Sequence, residues 1–413
     1  MKDRATRRIT EGYGSTTVTE ENLNPAEREN ELIVGTLNGA GHMSMHIQVG
    51  MIVPGRAGGI YVTEKALVDE LRRQSGVTVG VFEFGSRAED ERMLERVTGR
   101  ILDLIAYDRL LRRERPDVIY INSAYNKRAL LRDIGYALLS RIRNVSLVVK
   151  LHGSDARLVE QKPFFWWALT RLIFRWATMV QLLSTEEMRR FQSAGFPAKK
   201  LRLVRNVVSL ARFHRDAVAK LDPPGILFIA RFIREKGLLD LLRAARIALD
   251  SGRVFKLYCV GDGPVRDEAE ALAAELRLGE SVEFTGQITE EEATQYYLRC
   301  ALLVLPTYFQ EGFPMTILQA VAAGLPIITT KIRAAADYLK EPANCLWVEP
   351  RNPAMLAESI GRLLGTPGLQ LSMKENNLSL AKDFAVEVVA GEYLRQFQEA
   401  ARRKHADRRG IAN

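Results

Sequence analysis

Two cations, Arg231 and Lys236, stand five residues apart in the stretch ARFIREKGL. A guanidinium forks onto two oxygens and an ammonium adds a point charge, so the pair suits a diphosphate. A charged surface loop would read the same way. Glu311 lies in FQEGFPMTILQAVAAG, beside a Gly and a Pro where a helix should start. It is either the carboxylate of a binding site or a charge set against the helix dipole. Backbone N–H groups of Phe313, Met315 and Thr316 would point at a ligand, with Pro314, which has no N–H to give, suited to a first helical turn. Gln319, an uncharged amide, follows Glu311 by eight residues, a helical rise of about 12 Å. His152 ends an apolar run in KLHGSD, and its imidazole either faces a ligand or hydrogen-bonds a neighbouring loop. Two glycine-bearing stretches complete the set. In PGRAGGI, Gly58 and Gly59 allow close backbone approach at a helix N-terminus that favours an anion, and a plain tight turn fits equally well. In GDGP, Gly261 and Gly263 read as a tight turn before a helix opened by Pro264. No Asp-x-Asp metal motif accompanies these groups.

The elements that must position them alternate along the chain. HIQVGMIVP reads as a buried strand and IYVTEKALVDELRRQ as an amphipathic helix. The strand VTVGVFEF, a long helix from about Ala88 to Arg113, the strand DVIYIN, a helix near Lys127 to Ser140 and the strand VSLVVKLHG follow. LDPPG breaks the chain as a linker would. Beyond it the scheme restarts with ILFIARF, a helix in KGLLDLLRAARIAL, and the strands VFKLYCVG, SVEFTG, CALLVLP and LPIITT. Such alternation predicts an α/β fold of two Rossmann-like, doubly wound domains facing a central cleft. The expected division is 45–220 for the first domain, 221–385 for the second, and a C-terminal helix over 386–413 that could cross back to the first.

The chain has 413 residues, 47% hydrophobic and 26% charged, as expected of folded domains and too long for one core. Residues 1–44 show little periodicity and are expected to form a disordered leader, with Met43 or Met45 a natural start in that case. Cys259, Cys300 and Cys345 match no metal spacing and read as reduced core thiols of a cytosolic protein. The apolar runs are too short to span a membrane, and the polar N-terminus carries no apolar signal region. The net charge of +9 is concentrated in basic pairs such as Arg72-Arg73, Arg112-Arg113, Lys127-Arg128 and Arg189-Arg190. These attract phosphate, on nucleotides or on anionic lipid, or else decorate a solvated surface. No nucleic-acid motif accompanies them, so nucleic acid is set aside as a partner.

Taken in order and spacing, ARFIREKG, GDGP, VEFTG and EGFPMTILQAVAAGLPII resemble the GT-B retaining glycosyltransferases of family 4. The GG after the first strand, LHGSD and LVRNVVSLARF are similar to the matching parts of that family's N-terminal domain, so the resemblance spans roughly residues 46–400. It implies a nucleotide-sugar donor in the second domain and a glycan or lipid-linked acceptor in the first. Gly58 and Gly59 would line the donor diphosphate, and His152 would reach the donor sugar. Arg231 and Lys236 would bind the diphosphate and stabilise the leaving group. Glu311, with backbone groups of Phe313, Pro314 and Met315, would hold the sugar hydroxyls. The family's second glutamate, which binds the ribose, is Gln319 here; an amide accepts from one ribose hydroxyl and donates to the other, losing charge assistance worth about 1 kcal/mol.

The expected reaction is retaining, metal-independent transfer of a hexose-type sugar to an acceptor hydroxyl without a cofactor, in assembly of bacterial surface or exported polysaccharide or glycolipid. A non-catalytic sugar-nucleotide-binding subunit, or a GT-B epimerase or phosphorylase, is the alternative. The aromatic segment KPFFWWALTRLIFRWATM is either a core helix or an interfacial helix with aromatics in lipid and Arg171 and Arg175 on headgroups. The second case would place a cytoplasmic protein peripherally on the inner face of an anionic membrane.

Overall fold

The computed structural model describes residues 45–52, 58–84, 93–213 and 218–410. The expected leader 1–44 and the segment Pro54 to Ala57 of the first glycine loop lie outside the described residues. The first sheet is built from β1 (Met45–Ile52), β2 (Val77–Phe84), β3 (Val118–Ser123), β4 (Ser146–Leu151), β5 (Met179–Leu182) and β6 (Leu201–Leu203). Its order is β2-β1-β3-β4-β5-β6, and every pairing is parallel. Strands β3, β4 and β5 are buried on both faces, which is why β3 and β4 read as mainly apolar runs rather than alternations. The crossovers are α1 (Gly58–Arg73), α2 (Met93–Glu114), α3 (Lys127–Ile142), the short α4 (Ala156–Glu160), α5 (Phe164–Trp176) and α6 (Thr185–Ser193). Asn126 caps α3 and Ser184 caps α6, each through a side-chain oxygen on a first-turn N–H.

The second sheet comprises β7 (Gly225–Ile229), β8 (Lys256–Val260), β9 (Val282–Gly286), β10 (Leu302–Leu305), β11 (Ile327–Thr329) and β12 (Cys345–Trp347). Its order is β12-β11-β10-β7-β8-β9, again all parallel. Helices α7 (Leu238–Asp250), α8 (Arg266–Glu275), α9 (Glu290–Arg299), α10 (Met315–Ala322), α11 (Arg333–Tyr338), α12 (Pro353–Leu364) and α13 (Pro367–Ala381) flank it. Cys259, Cys300 and Cys345 are all buried in this domain's core. The last helix, α14 (Val386–Gly410), lays Val389, Ala390, Tyr393, Phe397 and Ala400 into the core of the first sheet, against Tyr120 and Val148. Ser146 Oγ donates to Ala400 O at 2.9 Å and Tyr393 Oη to Arg205 O at 3.0 Å, fixing its register.

The strand order reverses beside β1 and β3 in the first sheet and beside β7 and β10 in the second. Such switch points open crevices at the carboxyl ends of the strands. His152 follows β4, Gly58 opens the helix after β1, Arg231 follows β7 and Glu311 follows β10, so the topology brings the chemistry-bearing loops to the strand ends.

Three local expectations are corrected. Pro264 does not open a helix: α8 starts at Arg266, and Pro264 lies in the turn before it. Lys236 does not start α7 but ends a short 3-10 turn, Arg234–Lys236, and left-handed Gly237 (φ 80°) then caps the helix. Glu311 and Gln319 do not share a continuous helix: α10 begins at Met315 with Pro314 at its N-cap, so the 12 Å helical rise does not apply between them.

Candidate functional site

The site is assembled where the loop after β4 meets the loop after β10. Gly153 and Glu311 form an isolated antiparallel bridge, and Gly312 N–H donates to His152 O at 2.9 Å. A Cβ on Gly312 would stand 2.9 Å from that carbonyl and 2.6 Å from Leu183 Cδ1, so the approach requires glycine. Arg333 of α11, with side chain 3% exposed, donates to Glu187 of α6 at 2.7 Å and to Ser154 O at 2.8 Å. Burial pushes the Glu187 carboxyl up, against the pull of the Arg333 guanidinium. Thr63 Oγ1 reaches Met315 Sδ at 3.0 Å, and Asp337 accepts from Thr185 N–H at 2.7 Å. The two domains therefore touch directly around the strand ends.

Within this frame Glu311 forms an ion pair with Lys236, whose ammonium also lies 5.4 Å from the Phe309 ring centroid. The cation and the carboxylate read from separate stretches of sequence thus form one unit. Arg231 is exposed and has no ion-pair partner among the described residues, whereas Arg234 three residues on is paired with Glu268. Phe232 N–H donates to Asp262 O at 2.8 Å, which seats the GDGP loop against the Arg231 loop. Gly261 and Gly263, at φ 131° and 156°, would drive a Cβ to 2.1 Å of Ala230 O and 2.5 Å of Phe232 O. They permit this seating; no ligand contact is needed to explain them.

His152 is held from several sides. Its N–H donates to Ser123 O at 2.9 Å, and its ring Nε2 lies 2.6 Å from Asn122 Oδ1 and 3.5 Å from Glu64 Oε1. Burial and then the Lys150 charge hold the imidazole well below its ordinary range, which favours the neutral ring. Lys150 in turn donates to Glu64 Oε1 at 2.8 Å, a pair with side chains 0% and 2% exposed. Burial works against the Lys150 charge, but Glu64 outweighs it and the ammonium is held above its usual value.

Gly58 and Gly59 are the first two residues of α1, whose second turn supplies Thr63 and Glu64 to these contacts. Phe313 reaches the site only through its backbone, since its ring is buried against Tyr338 and Phe384. Pro314 is also buried, and Thr316 Oγ1 is spent on Ile229 O at 3.0 Å, tying α10 to the end of β7. Gln319 is half-buried on α10, and its side-chain amide has no hydrogen-bond partner among the described residues. The structure thus joins His152, Lys236 and Glu311 at the meeting of the two loops, with Met315 meeting Thr63 of α1. It leaves Arg231 and Gln319 unpaired on neighbouring elements.

Sequence reasoning missed Glu64, Asn122, Glu187 and Arg333. Lys150 carried a signal, a cation inside VSLVVKLHG. Glu64 carried none, because in VTEKALVDEL it reads as a solvated helix charge.

Two family models cover most of the chain: a glycosyl transferase 4-like domain over residues 37–207 and glycosyl transferases group 1 over residues 211–379. An uncharacterized glycosyltransferase of Methanocaldococcus jannaschii is 30% identical over 158 residues, 38% of this chain and 40% of that protein. TuaC of Bacillus subtilis, named for teichuronic acid biosynthesis, is 27% identical over 239 residues, 55% of this chain and 57% of that protein. The chain spans 23% to 68% of the length of the curated relatives it matches. A crystal structure of Anabaena Alr3699/HepE in complex with UDP and glucose superposes with a TM-score of 0.66 at 17% identity, covering 86% of this chain and 99% of that one. That likeness establishes the fold. No helix among the described residues is long and apolar enough to cross a membrane.

Proposed function

The chain belongs to the group 1 glycosyltransferases with a family-4-like N-terminal domain, and from that premise we propose that it moves a sugar from a nucleoside diphosphate donor to an acceptor hydroxyl with retention at the anomeric carbon. The observation that carries the reading is the Lys236–Glu311 pair brought against His152 at the domain junction, with unpaired Arg231 on the adjoining loop. In the transfer, the bond from the anomeric carbon to the diphosphate oxygen breaks and a bond to the acceptor oxygen forms on the same face. The acceptor proton passes to the departing phosphate. Negative charge grows on that phosphate, so fixed cations lower the barrier most. Lys236 and Arg231 supply them, and no step calls for a metal. Glu311 holds sugar hydroxyls while Lys236 bridges it to the diphosphate. Gln319 meets the ribose. A uridine donor and a role in surface or exported polysaccharide assembly are supported by the UDP bound in HepE and by the name of TuaC.

The acceptor side belongs to the first domain, and α5 favours an acceptor at a membrane surface. The helix buries Thr170, Ile173 and Phe174 but leaves Phe164 91% and Phe165 55% exposed, with Arg171 and Arg175 beside them. One face of the helix is core, and the other is apolar and open.

A thermal-shift screen with UDP-, GDP- and ADP-sugars tests the donor. One nucleotide should raise the melting temperature by mass action, and its sugar should be transferred to a member of an acceptor panel. Stabilisation without any turnover would favour a non-catalytic binding subunit.

A further inference from the structure

Asn122 stands at the end of β3, 2% exposed, and its role is set by what surrounds it. Its Nδ2 donates to Gly50 O at 3.3 Å on β1, which orients the amide so that Oδ1 points to His152. That oxygen lies 2.6 Å from His152 Nε2. The second atom facing Nε2 is Glu64 Oε1 at 3.5 Å, and it is already engaged by Lys150. Both neighbours of Nε2 are acceptors. A neutral imidazole carries its single proton on one nitrogen, and the bond made by that nitrogen selects which. Two oxygens with no proton to give place it on Nε2. The other nitrogen, Nδ1, has no hydrogen-bond partner among the described residues, and the side chain keeps 6% of its surface exposed. Protonating Nδ1 as well would put a cation beside the buried Lys150 ammonium.

We infer that Asn122 is a positioning residue for the transfer reaction: it fixes His152 in the Nε2–H tautomer and so leaves the Nδ1 lone pair to accept a hydrogen bond from a hydroxyl of the bound donor sugar. Glu64 and Lys150 complete the device. Lys150 disfavours a second proton on the ring, and Glu64 Oε1, 2.8 Å from the Lys150 ammonium, holds Lys150 in place. The inference rests on the glycosyltransferase reading for its substrate, but its central statement concerns the ring alone.

The test is nitrogen-15 NMR of histidine-labelled protein, with His152 assigned among the five histidines by its loss in His152→Gln. The wild-type chain at neutral pH should show Nε2 protonated and Nδ1 bare. Asn122→Leu, similar in volume but without an acceptor, should give a mixture of tautomers. Its turnover should fall about tenfold or more, while affinity for the free nucleoside diphosphate changes less than twofold. Asn122→Asp keeps an acceptor in place and should keep the wild-type tautomer. A wild-type ring protonated on Nδ1 would overturn the inference, as would a folded Asn122→Leu protein with unchanged tautomer and turnover. Should the leucine variant not fold, the wild-type and aspartate spectra still decide. Absence of sugar transfer by a wild-type chain showing the expected tautomer would count against the transfer reading instead.

Discussion

Glu311 and Gln319 lie on different structural units, so changing them should have different consequences. Glu311→Gln keeps the shape but removes the partner of Lys236 and, in the proposed reaction, a charged acceptor for the sugar. Its cost should fall on turnover, because a contact that tightens in the transition state is lost there. Affinity for the free nucleoside diphosphate should hold or rise, since Lys236 is released to the phosphates. Gln319→Ala should weaken nucleotide and donor alike and raise the Michaelis constant more than it lowers turnover. Gln319→Glu should strengthen free nucleotide by about 1 kcal/mol at most. Calorimetry with the nucleoside diphosphate beside steady-state kinetics separates the two; equal affinity losses from Glu311→Gln and Gln319→Ala would reject the division of labour. At this scale the sequence is readable where a residue type is out of place. Lys150 interrupts an apolar strand and Arg231 ends one, and both are visible at once. Glu64 is not, since its burial to 1% exposure is decided by a sheet and a helix far away in sequence.

Among the elements, α5 poses the sharpest question of use. Its inner face meets Phe191 and Phe196 through Phe174, at ring-centroid distances of 5.1 and 4.3 Å, and its C-terminal carbonyls accept from Lys200, with 2.7 Å to Ala177 O. This anchors the helix, and the exposed end is left to Phe164 and Phe165. Lys127 lies 5.7 Å from the Trp166 ring and Lys162 lies 5.4 Å from that of Trp167, so cations flank the open aromatics. Each phenylalanine ring moved from water into lipid is worth about 1.5–3 kcal/mol. Phe164→Ser with Phe165→Ser should therefore abolish binding to anionic liposomes at low salt and leave nucleotide binding intact. Trp166 and Trp167 are poorer probes, because both are half-buried. Wild-type protein that ignores such liposomes would exclude the membrane role. Periodicity made the helix legible but not its orientation, because aromatic residues occupy both faces. The basic residues are similarly committed to local partners. Arg112 and Arg143 both bind Asp108, and Arg190 bridges Glu160 and Glu186, so much of the apparent phosphate affinity is spent on neighbouring carboxylates.

For the whole molecule, nine of the twelve strands were legible as mainly apolar stretches between helices, while β5, β6 and β12, only three or four residues long, were not. The contacts that join the domains were not. Arg333, in TTKIRAAADY, looks like a surface residue, yet it is buried at a positive φ of 42° and reaches Glu187, Ser154 and Gln310. Removing one partner of a buried ion pair leaves the other charge uncompensated. Arg333→Ala should thus cost about 3–5 kcal/mol in chemical denaturation, while Arg333→Met combined with Glu187→Leu should recover most of the loss. A single variant within about 0.5 kcal/mol of wild type would mean the pair is not buried in solution. The same junction brings His152 against the Glu311 loop, where the proposed chemistry would occur. The most direct measurement is proton NMR of the first glycoside released from a nucleoside diphosphate α-sugar in the presence of a metal chelator. Wild-type protein should form an α-linked product, and Lys236→Ala and Glu311→Gln should form it far more slowly. A β-linked product, or equal rates from all three proteins, would contradict the account.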